Sequence, residues 1–440
     1  MNRHLLTEIR QWKERAYRKP LLLQGARQVG KSWILQEAGR QMFDNYVRID
    51  FDRERDMHSL FASTKDVKRL IEQISLIKSE PIIADKTLLI FDEIQECNAA
   101  LNSLKYFRED APQYAVAAAG SLLGVALKHT GMSFPVGQVD FLTLHPMTFA
   151  EFLEADDHKL HKMFASWPLS EPLPENIFNR LLEKYKLYLL IGGLPEAVRT
   201  WLNSHDITET ERILQSIITS YQLDFSKYAT PPDIMKIKQV WDNLQEQLAK
   251  ENKKFKYALI KNGARSRNYE SAINWLVTSG LVHKVMNTET PRLPLLAYKN
   301  EEAFKLYLSD VGILRMMFNL DSETLLSGNR LFTEFKGIIS ENQILNSLIA
   351  QDYSQPLYWT SGNQAELEFL LQEKGYIVPV EVKSSENVQA KSLHVYRQRY
   401  APDISVRFSL RNLQYRDGLL NIPLFMADRL KEFLTTIRNS

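Results

Sequence analysis

Short apolar runs alternate with longer amphipathic stretches through the first third of the chain. Leu21-Leu22-Leu23, Val47–Phe51, Leu88–Phe91, Tyr114–Ala119 and Val139–Leu144 read as five strands. The stretches between them have helical spacing, which predicts a parallel sheet covered on both faces. Residues 1–19 read as a basic amphipathic helix stopped by Pro20. Thr148 to about Lys227 reads as helical, with Ile213, Leu214, Ile217, Ile218 and Tyr221 on one face and a break at Gly192-Gly193-Leu194-Pro195.

Pro231-Pro232 marks an expected boundary. Beyond it the pattern predicts three helices, an Asn262-Gly263 turn, and a strand from Leu281 to Val285. Gly280 is placed to end the third helix in the left-handed conformation. Strands and helices mix again from 300 to 440. The expected division is 1–146, 147–230, 231–298 and 299–440, and length alone suggests two to four domains for 440 residues.

Composition changes this picture little. Lys plus Arg is 55 and Asp plus Glu is 53, so no global basic field draws the chain to nucleic acid or membrane. Any such binding has to come from local patches. The single cysteine, Cys97, excludes an intramolecular disulfide framework. The longest charge-free stretch, Ala111–Leu127, is shorter than a membrane span and is broken by glycines. No apolar signal core opens the chain, so the expected location is cytoplasmic, without a membrane partner.

Chemistry concentrates first at Gly25-Ala26-Arg27-Gln28-Val29-Gly30-Lys31-Ser32, which fits G-x-x-x-x-G-K-[ST] at every fixed position. The glycines let backbone amides turn around phosphate oxygens at a helix N-terminus. Lys31 is expected to reach the β- and γ-phosphates, and Ser32 to ligate Mg²⁺. Leu88–Phe91 carries Asp92-Glu93 to the tip of a buried strand. Asp92 is then expected to hold Mg²⁺, and Glu93 to orient and deprotonate the attacking water.

These two elements resemble the Walker A and Walker B of an AAA-type ATPase. Gly120-Ser121 stands where that family places a polar sensor, so the resemblance adds Ser121 to Lys31 and Glu93 as a catalytic residue. Gly137-Gln138-Val139, His145–Phe152 and Gly192–Glu196 extend the likeness to a bacterial and archaeal ATPase group with a C-terminal domain of unknown function. The resemblance implies a five-stranded sheet, a helical lid, ATP and Mg²⁺. No guanine signature is present, which favours ATP over GTP. Relatives often carry a basic residue where this chain has Gln138. If that residue is an arginine finger, Arg199 or Arg27 is the substitute, or a neighbouring subunit of an oligomer supplies it.

Two further patterns follow. Lys253, Lys254, Lys256, Lys261, Arg265 and Arg267 lie within fifteen residues that contain no acid. The helix order there resembles a winged helix, with Tyr269–Ser279 as the recognition helix and DNA as the implied partner. Farther on, Glu366–Leu371 and Ile377–Lys383 read as a hairpin turning at Lys374-Gly375. In that register Glu368 faces Glu381, and Glu366 faces Lys383. This resembles the PD-(D/E)XK nuclease core. The resemblance makes Glu368 and Glu381 metal ligands, Glu341 a further one, and Lys383 the group on the scissile phosphate. The alternative is an inactive descendant that binds a protein partner, in a nucleotide-dependent switch or scaffold.

Overall fold

The computed structural model describes residues 1–129, 134–227, 229–250, 252–320, 322, 330–362, 364–384 and 391–439, with the backbone alone described at 127–129, 330–335 and 439. Within them the chain builds two sheets and an intervening set of helices, an α/β architecture. The first sheet is parallel, in order β2-β3-β4-β1-β5. Its strands are β1 (Leu21–Gln24), β2 (Asn45–Asp50), β3 (Thr87–Asp92), β4 (Ala115–Ala119) and β5 (Asp140–Thr143). Every residue of β3 and β4 is buried. That explains their uninterrupted apolar sequence, because helices cover both faces.

The N-terminal helix is shorter than its pattern suggests. It spans Leu5–Glu14, and Arg15 already turns extended five residues before Pro20. The indole of Trp12 donates to Lys19 O at 2.8 Å and holds this return segment down.

Five helices follow the sheet: Phe149–Asp156, His158–Ser166, Glu175–Ile191, Pro195–Ser204 and Ile207–Asp224. Thr148 and Glu151 close a capping box at the first. Gly192-Gly193 is a packing joint. A Cβ on Gly193 would lie 2.1 Å from Met147 O, and one on Gly192 2.4 Å from an Asp310 oxygen. Asp310 accepts from Gly193 N at 2.7 Å and caps the helix Val311–Met317.

Pro231 and Pro232 open a helix, Pro231–Ala249, at positions where the missing N–H costs nothing. Tyr257–Ile260, Ser266–Thr278 and β6 (Val282–Thr288) follow. Gly280, at φ 76°, ends the third helix in the left-handed region as expected.

The second sheet joins what the sequence pattern divides. Its order is β12-β13-β11-β10-β9-β8-β6-β7. The strands are β7 (Asn300–Leu308), β8 (Leu357–Thr360), β9 (Glu366–Glu373), β10 (Tyr376–Val382), β11 (Ser405–Ser409), β12 (Gln414–Arg416) and β13 (Leu419–Pro423). The expected boundary at 298/299 falls inside the β6–β7 pair, and β6 also pairs with β8. One hydrogen-bonded sheet therefore runs from β6, just after the helix Ser266–Thr278, through to the C-terminal strands.

Candidate functional site

The phosphate loop leaves the buried strand β1 and enters the helix Lys31–Met42. Gly25 has φ 141°, and a Cβ there would lie 2.2 Å from Leu144 O, so this position needs glycine. Gly30, at φ 93°, caps the helix. Lys31 Nζ donates to two loop carbonyls, Gly25 O at 3.0 Å and Ala26 O at 2.8 Å. Burial lowers its pKa to about 8, against the opposing pull of Glu93 and Asp92.

Behind the loop, Ser32 Oγ donates to Asp92 Oδ1 at 2.9 Å. The other oxygen of Asp92 takes Nε and Nη2 of Arg48, at 2.9 and 2.6 Å. Arg48 Nη2 also reaches Asp50 at 2.8 Å. Glu93, with φ 47°, turns out of the strand end. Its Oε2 accepts from Gln95 Nε2 at 2.6 Å and Ser121 Oγ at 2.8 Å. Burial alone would raise the Glu93 pKa. The hydrogen bonds from Gln95 and Ser121 and the charge of Lys31 outweigh it and hold the carboxyl below the usual range. Lys31, Ser32, Asp92, Glu93 and Ser121 thus come together around one loop. An oxygen pair made of Ser32 Oγ and Asp92 Oδ1 is the donor set that Mg²⁺ accepts.

Three residues that the sequence did not single out hold this centre. Arg48 partners Asp92. Gln95 partners Glu93. Arg3 is buried and donates to Val29 O of the loop at 2.9 Å, to His145 O at 2.6 Å and to Glu151 at 3.2 Å. Period two puts Arg48 and Asp50 on one face of β2, and the parallel register sets Asp50 beside Asp92. That was a usable signal for Arg48. Arg3 had none, because its partners lie 26 to 148 residues away.

The helices Pro195–Ser204 and Ile207–Asp224 and the turn at Gly280 all touch the loop. Arg27 forms an ion pair with Asp224, and Tyr221 OH donates to Arg27 O at 3.1 Å. A Cβ on Gly280 would lie 3.1 Å from Ala26 N. Pro195 packs beside Gly30. Arg199, on the helix Pro195–Ser204, is exposed and has no ion-pair partner among the described residues. Gln138 lies on the turn before β5.

In the basic stretch, Lys253 forms an ion pair with Glu341 and is not free for phosphate. Lys254, Lys256, Lys261, Arg265 and Arg267 are exposed.

The C-terminal acids gather in the second sheet. The β9–β10 register runs from Tyr376–Glu373 to Val380–Phe369, so Glu381 follows opposite Glu368. Glu366 meets Lys305 at 2.5 Å rather than Lys383. The reason is that Lys383 lies beyond the β9–β10 ladder, where its N–H donates to Phe408 O of β11. Lys383 Nζ and Arg407 Nε lie 3.5 and 3.6 Å from the two oxygens of Glu381, which is fully buried. Neither of those oxygens has a hydrogen-bond partner among the described residues. Burial, then the Glu341 charge, pushes Glu368 up to about 7. Burial also raises Glu381, against Lys383 and Arg407. Glu341 is different. Burial would raise it, but Lys253 and Lys305 and the Tyr307 hydroxyl hold it at about 2. Among the described residues, Glu341, Glu368 and Glu381 do not bring three ligand oxygens within 4.8 Å of one another.

Comparison with known proteins bears on the segments separately. Residues 17–153 match a family described as AAA domain, which places an AAA-type P-loop ATPase domain there. Residues 182–324 and 336–425 match two families described as domains of unknown function. No curated protein matches the chain. Solved structures similar to it include the Walker-type ATPase PABY2304 of Pyrococcus abyssi, at 14% identity and TM-score 0.45, covering 72% of this chain and 95% of that one. The Aeropyrum pernix ORC2 protein, in ADPNP–ADP complexes, is 10% identical with TM-score 0.34, covering 73% and 93%. The ORC1 protein of the same organism, in complex with DNA, is 12% identical with TM-score 0.28, covering 73% and 93%. At these scores the likenesses carry no functional weight. No helix among the described residues is long and apolar enough to cross a membrane.

Proposed function

We propose that the chain is a Mg²⁺-dependent ATP hydrolase whose nucleotide cycle moves a DNA-binding winged-helix-like segment. The observation that carries this is the convergence of Lys31, Ser32, Asp92, Glu93 and Ser121 on one glycine loop. The loop's amides and Lys31 bind the phosphates. Ser32 and Asp92 hold Mg²⁺, which supplies charge neutralisation when bound. Glu93 takes the proton of the attacking water, and Ser121 orients Glu93 or the γ-phosphate. Arg199, exposed and without an ion pair among the described residues, is a better substitute for the missing basic residue at Gln138 than Arg27, which Asp224 holds. Transmission runs through two contacts on the loop itself, Gly280 on Ala26 and Asp224 on Arg27. Lys254, Lys256, Lys261, Arg265 and Arg267 then supply the phosphate contacts to DNA.

Steady-state ATP hydrolysis with and without duplex DNA tests this reading. Hydrolysis is expected to need Mg²⁺, to be lost in Lys31→Ala and to rise with DNA. Turnover that ignores DNA favours the switch or scaffold with a protein partner.

A second reading rests on Glu381, buried beside Glu368 with both oxygens lacking hydrogen bonds among the described residues. Glu368 and Glu381 would hold Mg²⁺ or Mn²⁺ there, displacing Lys383 and Arg407, with Lys383 and Glu341 at hand as in a nuclease core. Millimolar Mn²⁺ should then raise the melting temperature of the full chain, and Glu381→Ala should lose that gain. No Mn²⁺ shift retires this reading and leaves the acids as a structural junction.

A further inference from the structure

Away from the phosphate loop, three metal-ligating side chains from three separate elements meet. His4 directly precedes the first helix, Leu5–Glu14. Glu154 lies on the helix Phe149–Asp156, and His161 on the helix His158–Ser166. One ligand atom from each lies within 4.8 Å of the other two. No other set of three His, Cys, Asp or Glu side chains among the described residues does this. We propose that His4, Glu154 and His161 form a Zn²⁺ site that fastens the N-terminal arm to the lid.

The donor chemistry selects the metal. Two imidazoles and one carboxylate suit zinc, which takes nitrogen and oxygen at about 2.0–2.2 Å in tetrahedral geometry. Mg²⁺ and Ca²⁺ prefer all-oxygen shells and gain nothing from imidazole. Tetrahedral ligands stand about 3.4 Å apart at those bond lengths. Closing the three side chains therefore takes about an ångström of movement, within reach of half-exposed rotamers. Water fills the fourth position.

The surroundings leave the ligands available. The rings of His4 and His161 have no hydrogen-bond partner among the described residues. Among the described residues Glu154 has no ion pair, and its oxygens accept only from Asn2 Nδ2, at 3.2 and 3.4 Å.

The position gives the site a consequence. The His4 backbone N–H donates to Glu151 at 2.7 Å, and the adjacent Arg3 holds Val29 O of the phosphate loop. Zinc here would tie the arm that supports the loop to the same helix, Phe149–Asp156, that carries Glu151.

The test uses the full chain, stripped with chelator and free of nucleotide. Titration with ZnCl2 should show one equivalent bound in wild type, with a rise in melting temperature. His161→Ala and His4→Ala should each weaken that binding by more than about tenfold, since even loss of a group that merely orients a metal ligand costs 10–100-fold. Both variants should melt close to wild type in chelator, because neither ring has a hydrogen-bond partner among the described residues and His161 loses only its ring contacts with His158 and Phe164. Asp92→Asn should keep the zinc equivalent, which separates this site from the acids at the phosphate loop. Absence of zinc binding in wild type, or its retention in both histidine variants, overturns the proposal.

Discussion

Two regions of this molecule bury lysines against carboxylates, and they do so in opposite ways. At the phosphate loop Glu93 is held by short neutral donors, while Asp92 shares one neutral donor with a guanidinium. Ser32 holds Asp92, while Gln95 and Ser121 hold Glu93, and Arg48 is the one charged partner. Lys31 rests on backbone carbonyls, contacts that a phosphate can replace at little cost. In the second sheet, Lys253, Lys305, Lys383 and Arg407 stand against Glu341, Glu366, Glu368 and Glu381. There the cations are committed to the acids, and removing one partner strands another in low dielectric. The residue types are nearly the same in both places. What differs is whether the charge is satisfied by its own neighbours or left to be satisfied by a ligand.

The sharpest way to break this contrast is to delete the hub of the second region. Glu341→Ala leaves Lys253 and Lys305 without their shared partner, and the loss of a buried pair costs about 3–5 kcal/mol. Denaturant unfolding followed by a probe in the second sheet should show that loss. Lys31→Ala, in the same assay, should leave stability nearly unchanged. An equal loss for both variants would erase the distinction.

A pH experiment sharpens it further. Glu368 has its pKa raised from 4.5 to about 7, so the folded state holds a proton that the unfolded state has released between those values. Its contribution is therefore full below pH 4.5 and is lost as pH rises through 7. Asp310, raised by burial to about 6, adds the same sign at lower pH. Glu368→Gln should flatten the fall in stability between pH 4.5 and 7 relative to wild type. An unchanged slope would mean that burial and the Glu341 charge do not raise the Glu368 pKa.

The smallest expected effect concerns the exposed cations, which belong to neither region. Neutralising Lys254 and Lys256 to Gln should reduce the slope of log affinity for DNA against log salt by about 0.9 for each phosphate deprived of its cation. Lys253→Gln should leave that slope alone and lower stability instead, because its partner is Glu341. A slope that changes only with Lys253 would reverse the assignment.

How much of this was legible depended on the distance between partners. The glycine loop and the acidic pair are local patterns with fixed spacing, and the geometry at Gly25, Gly30 and Glu93 follows from them. The hairpin at Lys374-Gly375 was equally readable, since a two-residue turn sets the register that opposes Glu368 to Glu381. The partner of Glu366 was not. It depends on where the β9–β10 ladder ends and on Lys305, 61 residues earlier. Lys253 misled for a similar reason, because a run of lysines reads as a solvated patch until one of them meets Glu341, 88 residues on. The continuous sheet from β7 to β12 hid for want of any local signal, as strand pairing across segments leaves no periodicity in either one.

The most direct test of the account is ATP turnover in Glu93→Gln. The amide keeps the shape and the hydrogen bond from Ser121 but cannot take a proton. With Mg²⁺ present, turnover should fall about 10²–10⁴-fold while ATP still binds, as expected for loss of a general base. Glu381→Gln, which removes a carboxylate from the other region, should turn over at the wild-type rate. Wild-type turnover in Glu93→Gln would contradict the assignment of chemistry to the phosphate-loop centre.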